Sequence, residues 1–314
     1  MNTSTSLWCE DYRPKKIEEC ILPPELKEQF EKLVTLGEIP SLMLIGAPGT
    51  GKTTVARALC AELNCDYIII NCSEDSGIDV LRNRIRNFAS TVSLESDSKH
   101  KVVILDEADY CNPTSTQPAL RGFIEEFHSN CRFIFTGNYG NKIIPALHSR
   151  CSVINFEIRK EQKNQLMAAF FKRTTSILES NNIGYDSTVL AKFISYHFPD
   201  MRRCLNELQM YSTIGTIDAG ILSTTDNAEF VELVGFLKDK NFKKAREWIT
   251  TSSADPVSLF TKLYDTSNEY VVSESIPTLI VILGEYGYKA NFVANPDLNL
   301  AACFVEIMAE VNFK

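Results

Sequence analysis

Between residues 42 and 157, short runs of Val, Ile, Leu and Phe alternate with stretches whose apolar residues recur every three or four positions. The runs are too short for helices and lack polar alternation, as expected of strands buried on both faces; the 3.6-residue period between them predicts crossover helices. Strands are expected over 42–45, 67–71, 102–106, 133–136 and 153–156. The alternation predicts the α/β class, with a parallel five-stranded sheet flanked by helices. After residue 157 the strand signals stop. Helical periods over 160–180, 187–197 and 200–213 form one group, punctuated by Asn181, Asn182, Gly184 and Pro199. The stretch 215–226, rich in Gly, Thr, Ser and Asp, reads as a linker, and helical patterns resume over 228–238, 242–250, 256–270, 275–288 and 298–312. The expected domains are an α/β core over 1–158, a helical group over 159–222 and an all-α domain over 223–314. No internal repeat or low-complexity segment is evident.

The loop after the first expected strand carries the clearest chemistry. Gly46-Ala47-Pro48-Gly49-Thr50-Gly51-Lys52-Thr53 stands between a strand and a helix over 55–62, the context a phosphate-binding loop requires. Backbone amides of such a turn converge on phosphate oxygens, and the helix N-terminus adds a favourable dipole. Lys52 reaches the terminal phosphates and Thr53 ligates magnesium, so ATP with Mg2+ is the expected cofactor pair. The run 102–105 ends in Asp106-Glu107, two carboxylates at the end of a central strand. Asp106 is expected to hold the metal and Glu107 to polarise the attacking water. Asn138, at the end of the strand over 133–136, is placed to touch the γ-phosphate or that water. The tetrad Asp106-Glu107-Ala108-Asp109 also spells an RNA-helicase signature, but the next strand ends Phe135-Thr136-Gly137-Asn138 where those enzymes carry Ser-Ala-Thr. The match is read as coincidence.

Composition narrows the rest. Of the 314 residues, 44% are hydrophobic and 23% charged, a globular balance with room for two or three domains. The N-terminus lacks a secretory pattern, and no apolar run approaches the ~20 residues of a membrane-crossing helix. A cytoplasmic protein without membrane contact is expected. Ten scattered cysteines without a Cys-x-x-Cys, and four histidines at no ligand spacing, point to buried free thiols and no structural metal. A formal charge of −8 argues against wholesale coating of nucleic acid, so any contact must be local.

Further segments extend the pattern: Trp8 with Tyr12-Arg13-Pro14-Lys15, the stretch 73–83, Gln117 with Ala119-Leu120-Arg121, Ser149-Arg150-Cys151, Asp200-Met201-Arg202-Arg203 and Asn206-Glu207-Leu208. Together with the loop and the acidic pair, they resemble AAA+ ATPases of the clamp-loader group over almost the whole chain. They look like the small subunits of replication factor C, while the C-terminal region ending Asn299-Leu300-Ala301-Ala302 is closer to the large subunit of T-even-type phage clamp loaders. The resemblance implies a P-loop core, a helical lid and an all-α collar for oligomerisation. It implies an ATPase in an assembly of five subunits, copies of this chain with a different one. That assembly opens a sliding clamp and seats it at primer–template DNA without sequence preference, in the host cytoplasm if the protein is viral.

Residue by residue, the resemblance places Tyr12 and Arg13 over the adenine. It adds Thr54 to the cradle of Gly46, Pro48, Gly49, Thr50, Gly51, Lys52 and Thr53, and leans Arg202 on the γ-phosphate. Arg150 is implied to be an arginine finger serving the neighbouring subunit; a surface arginine in a loop is the plainer reading. On the helix over 78–90, Ile78, Leu81, Ile85 and Phe88 form an apolar stripe, and Arg82 and Arg86 stand one turn apart beside it. A solvated face explains such arginines, but the resemblance assigns that helix to a DNA chamber, with Arg121 as a further candidate. On a helix over 114–128, Gln117, Arg121, Glu125 and His128 are expected to share a polar outer stripe. Clamp contact near 112–116 is implied by analogy alone.

Two other classes compete: another AAA+ machine, such as an unfoldase or junction motor, and a nucleotide-dependent scaffold. An unfoldase needs an aromatic pore loop, which the stretch 78–98 lacks, and a scaffold predicts a damaged site.

Overall fold

Five parallel strands, β1 (Leu42–Ile45), β2 (Tyr67–Asn71), β3 (Lys101–Asp106), β4 (Cys131–Gly137) and β5 (Ser152–Asn155), form one sheet in the order β2-β3-β4-β1-β5. The computed structural model describes residues 7–74, 77–91, 101–213, 215–223, 226–252, 256–290 and 292–314. Asp75 and Ser76 of the stretch 73–83, and residues 92–98 of the stretch compared with a pore loop, lie outside the described residues. Alternation along β1, β3 and β4 sends Met43, Val103, Leu105, Phe133 and Phe135 to one face, and Leu42, Leu44, Val102, Ile104 and Ile134 to the other. Both faces are buried along the inner strands β1, β3 and β4, which is why these read as unbroken apolar runs, whereas the edge strand β5 leaves Val153 44% exposed.

Helices α1 (Trp8–Asp11), α2 (Pro24–Leu36), α3 (Lys52–Glu62), α4 (Ile78–Ser90), α5 (Thr116–Glu126) and α6 (Pro145–His148) accompany the sheet. Leu81 and Ile85 of α4 with Leu120 and Phe123 of α5 cover the first face. Phe30 of α2 with Val55 and Leu59 of α3 cover the second. The buried Lys101 at the start of β3 donates to the Phe88 carbonyl (3.0 Å) and to Thr91 Oγ1 (2.6 Å), a cation placed on the orphan carbonyls at the end of α4. Three helices follow, α7 (Lys160–Ser180), α8 (Ser187–His197) and α9 (Met201–Ser212), and belong with the sheet to one compact unit, Met1–Asp218.

The second unit, Ala219–Lys314, holds α10 (Gly220–Ser223), α11 (Asp226–Lys238), α12 (Phe242–Thr251), α13 (Pro256–Asp265), α14 (Ser267–Tyr270), α15 (Ile276–Ala290) and α16 (Pro296–Glu310). Leu233, Leu237, Phe304 and Ile307 are fully buried in its core.

Three expectations need correction. The helix expected over 256–270 is two helices: the backbone of Thr266, at φ −94° and ψ 2°, leaves the helical run after Asp265, and the chain re-enters a helix at Ser267. The stretch 215–226 is not only a linker, since Ile217 pairs with Tyr185 in a parallel bridge and α10 follows. Gln117 does not share an outer stripe with Arg121, Glu125 and His128. It is 0% exposed, donating to the carbonyls of Cys111 (2.9 Å) and Lys142 (3.0 Å) and accepting from the Ile144 amide (2.7 Å). A polar side chain is buried there because it satisfies three backbone groups that loops would leave unpaired.

Candidate nucleotide-binding site

Strand order brings the chemistry together. β4 lies between β1 and β3, so the end of β4 separates the loop after β1 from the carboxylates after β3. Ligands in open parallel sheets bind at such carboxyl ends.

The loop is held from two sides. A Cβ on Gly46 would stand 2.8 Å from Phe156 Cβ, and one on Gly49, whose φ is +72°, would stand 1.9 Å from Asp200 Oδ1. Gly49 is therefore excluded from substitution both by its left-handed backbone and by the helix N-terminus pressed against it. Asp200 caps α9 by accepting from the Arg203 amide (3.0 Å), while the Met201 amide donates to the Gly49 carbonyl (3.3 Å). The glycines and this lid segment thus form one contact.

Lys52 is buried, and its ammonium donates to the carbonyls of Gly46 (2.7 Å) and Ala47 (2.7 Å) and to Asn138 Oδ1 (2.9 Å). Burial pushes its pKa down to about 8, with Asp106 and Asp109 opposing that shift. Thr53 Oγ1 donates to Asp106 Oδ1 (2.7 Å), which also accepts from Thr136 Oγ1. Thr136 in turn accepts from the Glu107 amide (3.2 Å). Glu107 has φ +56°, a conformation rare outside glycine, asparagine and aspartate and one that concentrates at functional sites. Among the described residues its carboxylate makes no hydrogen bond or ion pair.

The apolar end of the pocket is lined by Pro14, Ile21, Leu22, Phe170 and Leu205, with Tyr12, Arg13 and Arg202 at its walls. Arg13 donates to Thr54 Oγ1 (3.4 Å) and pairs with Glu10. Arg173 of α7 donates to the carbonyls of Tyr12 (2.6 Å) and Glu19 (3.2 Å), tying the N-terminal segment to the lid. The sequence reading missed Arg173, which no motif marks. Arg202 lines the pocket, and its side chain makes no hydrogen bond among the described residues.

The other candidates lie elsewhere. Arg150 is not among the residues lining this pocket; it donates through Nε (2.8 Å) and an Nη (2.5 Å) to Glu125 Oε1 and through its other Nη to the Ala146 carbonyl (2.9 Å). The bond from Arg150 holds the Glu125 carboxyl below its usual range. Arg82 stands 3.3 Å from Asp79, Arg86 3.6 Å from Glu126, and Arg121 3.9 Å from Glu125. All three arginines are accessible, and exposed pairs of this kind yield readily to a stronger anion.

A profile described as "ATPase family associated with various cellular activities (AAA)" matches residues 42–158, and one described as "Sliding-clamp-loader large subunit, AAA+ ATPase lid domain" matches residues 162–223. The sliding-clamp-loader large subunit of Enterobacteria phage T4 is 38% identical to this chain, over 97% of the chain and 96% of that protein. The chain belongs to the clamp-loader AAA+ ATPases. The corresponding subunit of Escherichia phage RB69 is 36% identical over 100% of the chain and 99% of its own length, and a replication factor C small subunit of Saccharolobus solfataricus is 32% identical over 96% and 94%. A Thermotoga maritima RuvB Holliday junction branch migration motor shares the fold, with TM-score 0.55 and 15% identity over 80% of this chain and 85% of that one. As a clamp-loader AAA+ ATPase the chain binds nucleotide and hydrolyses ATP as a subunit of a sliding-clamp loader. Among the described residues, no helix is long and apolar enough to cross a membrane.

The lysine gives a pH signature. Below about 8 its amine is already charged in the free protein, and a phosphate held by Lys52, as a loop of this form implies, would favour the charged form and raise its pKa on binding. Nucleotide affinity is therefore expected to be flat below pH 8 and to weaken above it, by at most about tenfold per pH unit. Titrating a non-hydrolysable ATP analogue between pH 7 and 9.5 checks this. An affinity that strengthens or stays level across that range contradicts it.

Proposed function

We propose that the chain holds ATP between the loop after β1 and the lid, and that hydrolysis there drives release of a sliding clamp loaded at primer–template DNA. One observation carries the reading: phosphate loop, acidic pair and Asn138 converge at the ends of three adjacent strands in a chain related along its whole length to loader subunits. Gly46 and Pro48 to Thr54 form the cradle, with Tyr12 and Arg13 beside the base and Arg202 on the γ-phosphate. Thr53 and Asp106 present two hard oxygen donors 2.7 Å apart, a pair suited to Mg2+ completed by nucleotide oxygens. When bound, the ion would neutralise phosphate charge. Glu107 orients and deprotonates the attacking water, Lys52 and Asn138 steady the γ-phosphate, and Arg150 reaches the nucleotide of the neighbouring subunit.

The assembly is a ring-like set of five subunits: copies of this chain with one different subunit, working in the cytoplasm, that of the host if the protein is viral. Domains run over 1–158, 159–222 and 223–314, the last serving subunit association. On it Val281 and Tyr288, seven positions apart on α15, are exposed apolar residues on one face. Arg82, Arg86 and Arg121 contact DNA phosphates, which makes binding independent of sequence and weaker in salt.

The test compares ATP turnover of the chain alone with turnover in the presence of its partner subunit, a clamp and primed DNA. Marked acceleration is expected. Equal rates would sink clamp loading as the function of this site.

A further inference from the structure

The tetrad that imitates a helicase signature leaves one residue without a task. Glu107, with its left-handed backbone, turns the chain out of β3, and the tight 3-10 turn Ala108–Tyr110 that follows carries Asp109 back under the end of β4. Asp109 is 7% exposed. Its Oδ2 accepts from the amides of two consecutive residues, Asn138 and Tyr139, each at 3.2 Å. Its Oδ1 is buried without a hydrogen-bond partner among the described residues, and a Cβ on Gly137 would stand 3.1 Å from it.

A carboxylate is an expensive group to bury, and one with a single satisfied oxygen is not explained by packing. What it does hold is informative. One oxygen shared by two successive amides fixes the peptide plane between Asn138 and Tyr139, and thereby the direction in which the Asn138 side chain leaves the backbone. That side chain is the one whose Oδ1 accepts from Lys52. The chain of contacts runs from Asp109 through the Asn138 backbone and carboxamide to the lysine of the phosphate loop. None of its links is a sequence neighbour of the next.

We infer that Asp109 is a positioning residue for ATP hydrolysis: it holds the Asn138 carboxamide against Lys52 in the orientation that meets the γ-phosphate. The inference rests on the proposed role of Asn138, and Asp109 itself touches no nucleotide. Asparagine at 109 keeps an oxygen of the same reach, so the amides stay paired; alanine leaves both unpaired.

The experiment is a double-mutant cycle on kcat in the full assembly with clamp and primed DNA, using Asp109→Ala, Asn138→Ala and the double variant. Affinity for a non-hydrolysable ATP analogue is measured alongside. Removing an oriented polar contact of this kind changes a rate by about tenfold. The expected result is that Asp109→Ala lowers kcat by about that factor, with analogue affinity little changed, and lowers it no further when Asn138 is already alanine. Asp109→Asn should restore most of the rate. Independent, multiplying losses overturn the inference while leaving Asn138 in its role. An Asn138→Ala variant as fast as the parent overturns that role and the inference together. An Asp109→Asn variant as slow as Asp109→Ala overturns it also, by showing that charge and not orientation matters. Should Asp109→Ala fail to fold, Asp109→Ser replaces it in the cycle, since its hydroxyl is too short to reach both amides.

Discussion

Glu107→Gln is expected to leave ATP bound and almost uncleaved. Glutamine has the shape of glutamate and tolerates the same left-handed backbone, so the change is in proton affinity and little else. Asp106 keeps its two hydroxyl partners, Thr53 and Thr136, and Lys52 keeps its three oxygens. General-base contributions are typically ~10²–10⁴ in rate, and a loss in that range is expected here. Phosphate release under single-turnover conditions, with analogue binding measured in parallel, checks both halves. A variant that cleaves within a few-fold of the parent rate would remove Glu107 from the reaction.

Arg150→Ala should be as damaging, by another route. A guanidinium delivered to the transferring phosphoryl group is worth ~10³–10⁵ in rate. In its own chain Arg150 is engaged by Glu125 and the Ala146 carbonyl and is not among the residues lining the nucleotide pocket. If the group acts on a neighbour, mixing inert Glu107→Gln subunits with Arg150→Ala subunits restores turnover: intact Glu107 of one chain meets the intact arginine of the other. Mixtures as silent as the separate variants would show that Arg150 does not work between subunits.

The parts that could be read from the sequence are those whose chemistry is local. Leu42 to Ile45 had to be a strand because its residues are uniformly apolar, and the offset of Lys52 and Thr53 from the glycines follows from how a strand enters a helix around phosphate. Asp106 and Glu107 were legible because the apolar run stops at them. Gln117, Asp109 and Arg173 were not. Each does its work on backbone groups distant in sequence, at Lys142 and Ile144, at Asn138, and at Tyr12. Helical period placed Gln117 on an outer face because periodicity counts polarity, and it has no means of weighing three unpaired backbone groups waiting inside. The split at Thr266 escaped as well, since one residue whose backbone leaves the helical region leaves no mark on apolar spacing.

The contact of Asp200 with Gly49 has a mechanical consequence. At 1.5 Å per residue, the twelve residues of α9 span ~18 Å, and the capping aspartate at one end rests on the phosphate loop without a gap. Any nucleotide that displaces the loop backbone must push on the near end of a rigid rod. A tilt of about ten degrees of that rod carries its far end ~3 Å, the scale on which packed side chains two turns beyond Arg202 must rearrange. The end of α9 that would feel a nucleotide first is thus the end seated on Gly49.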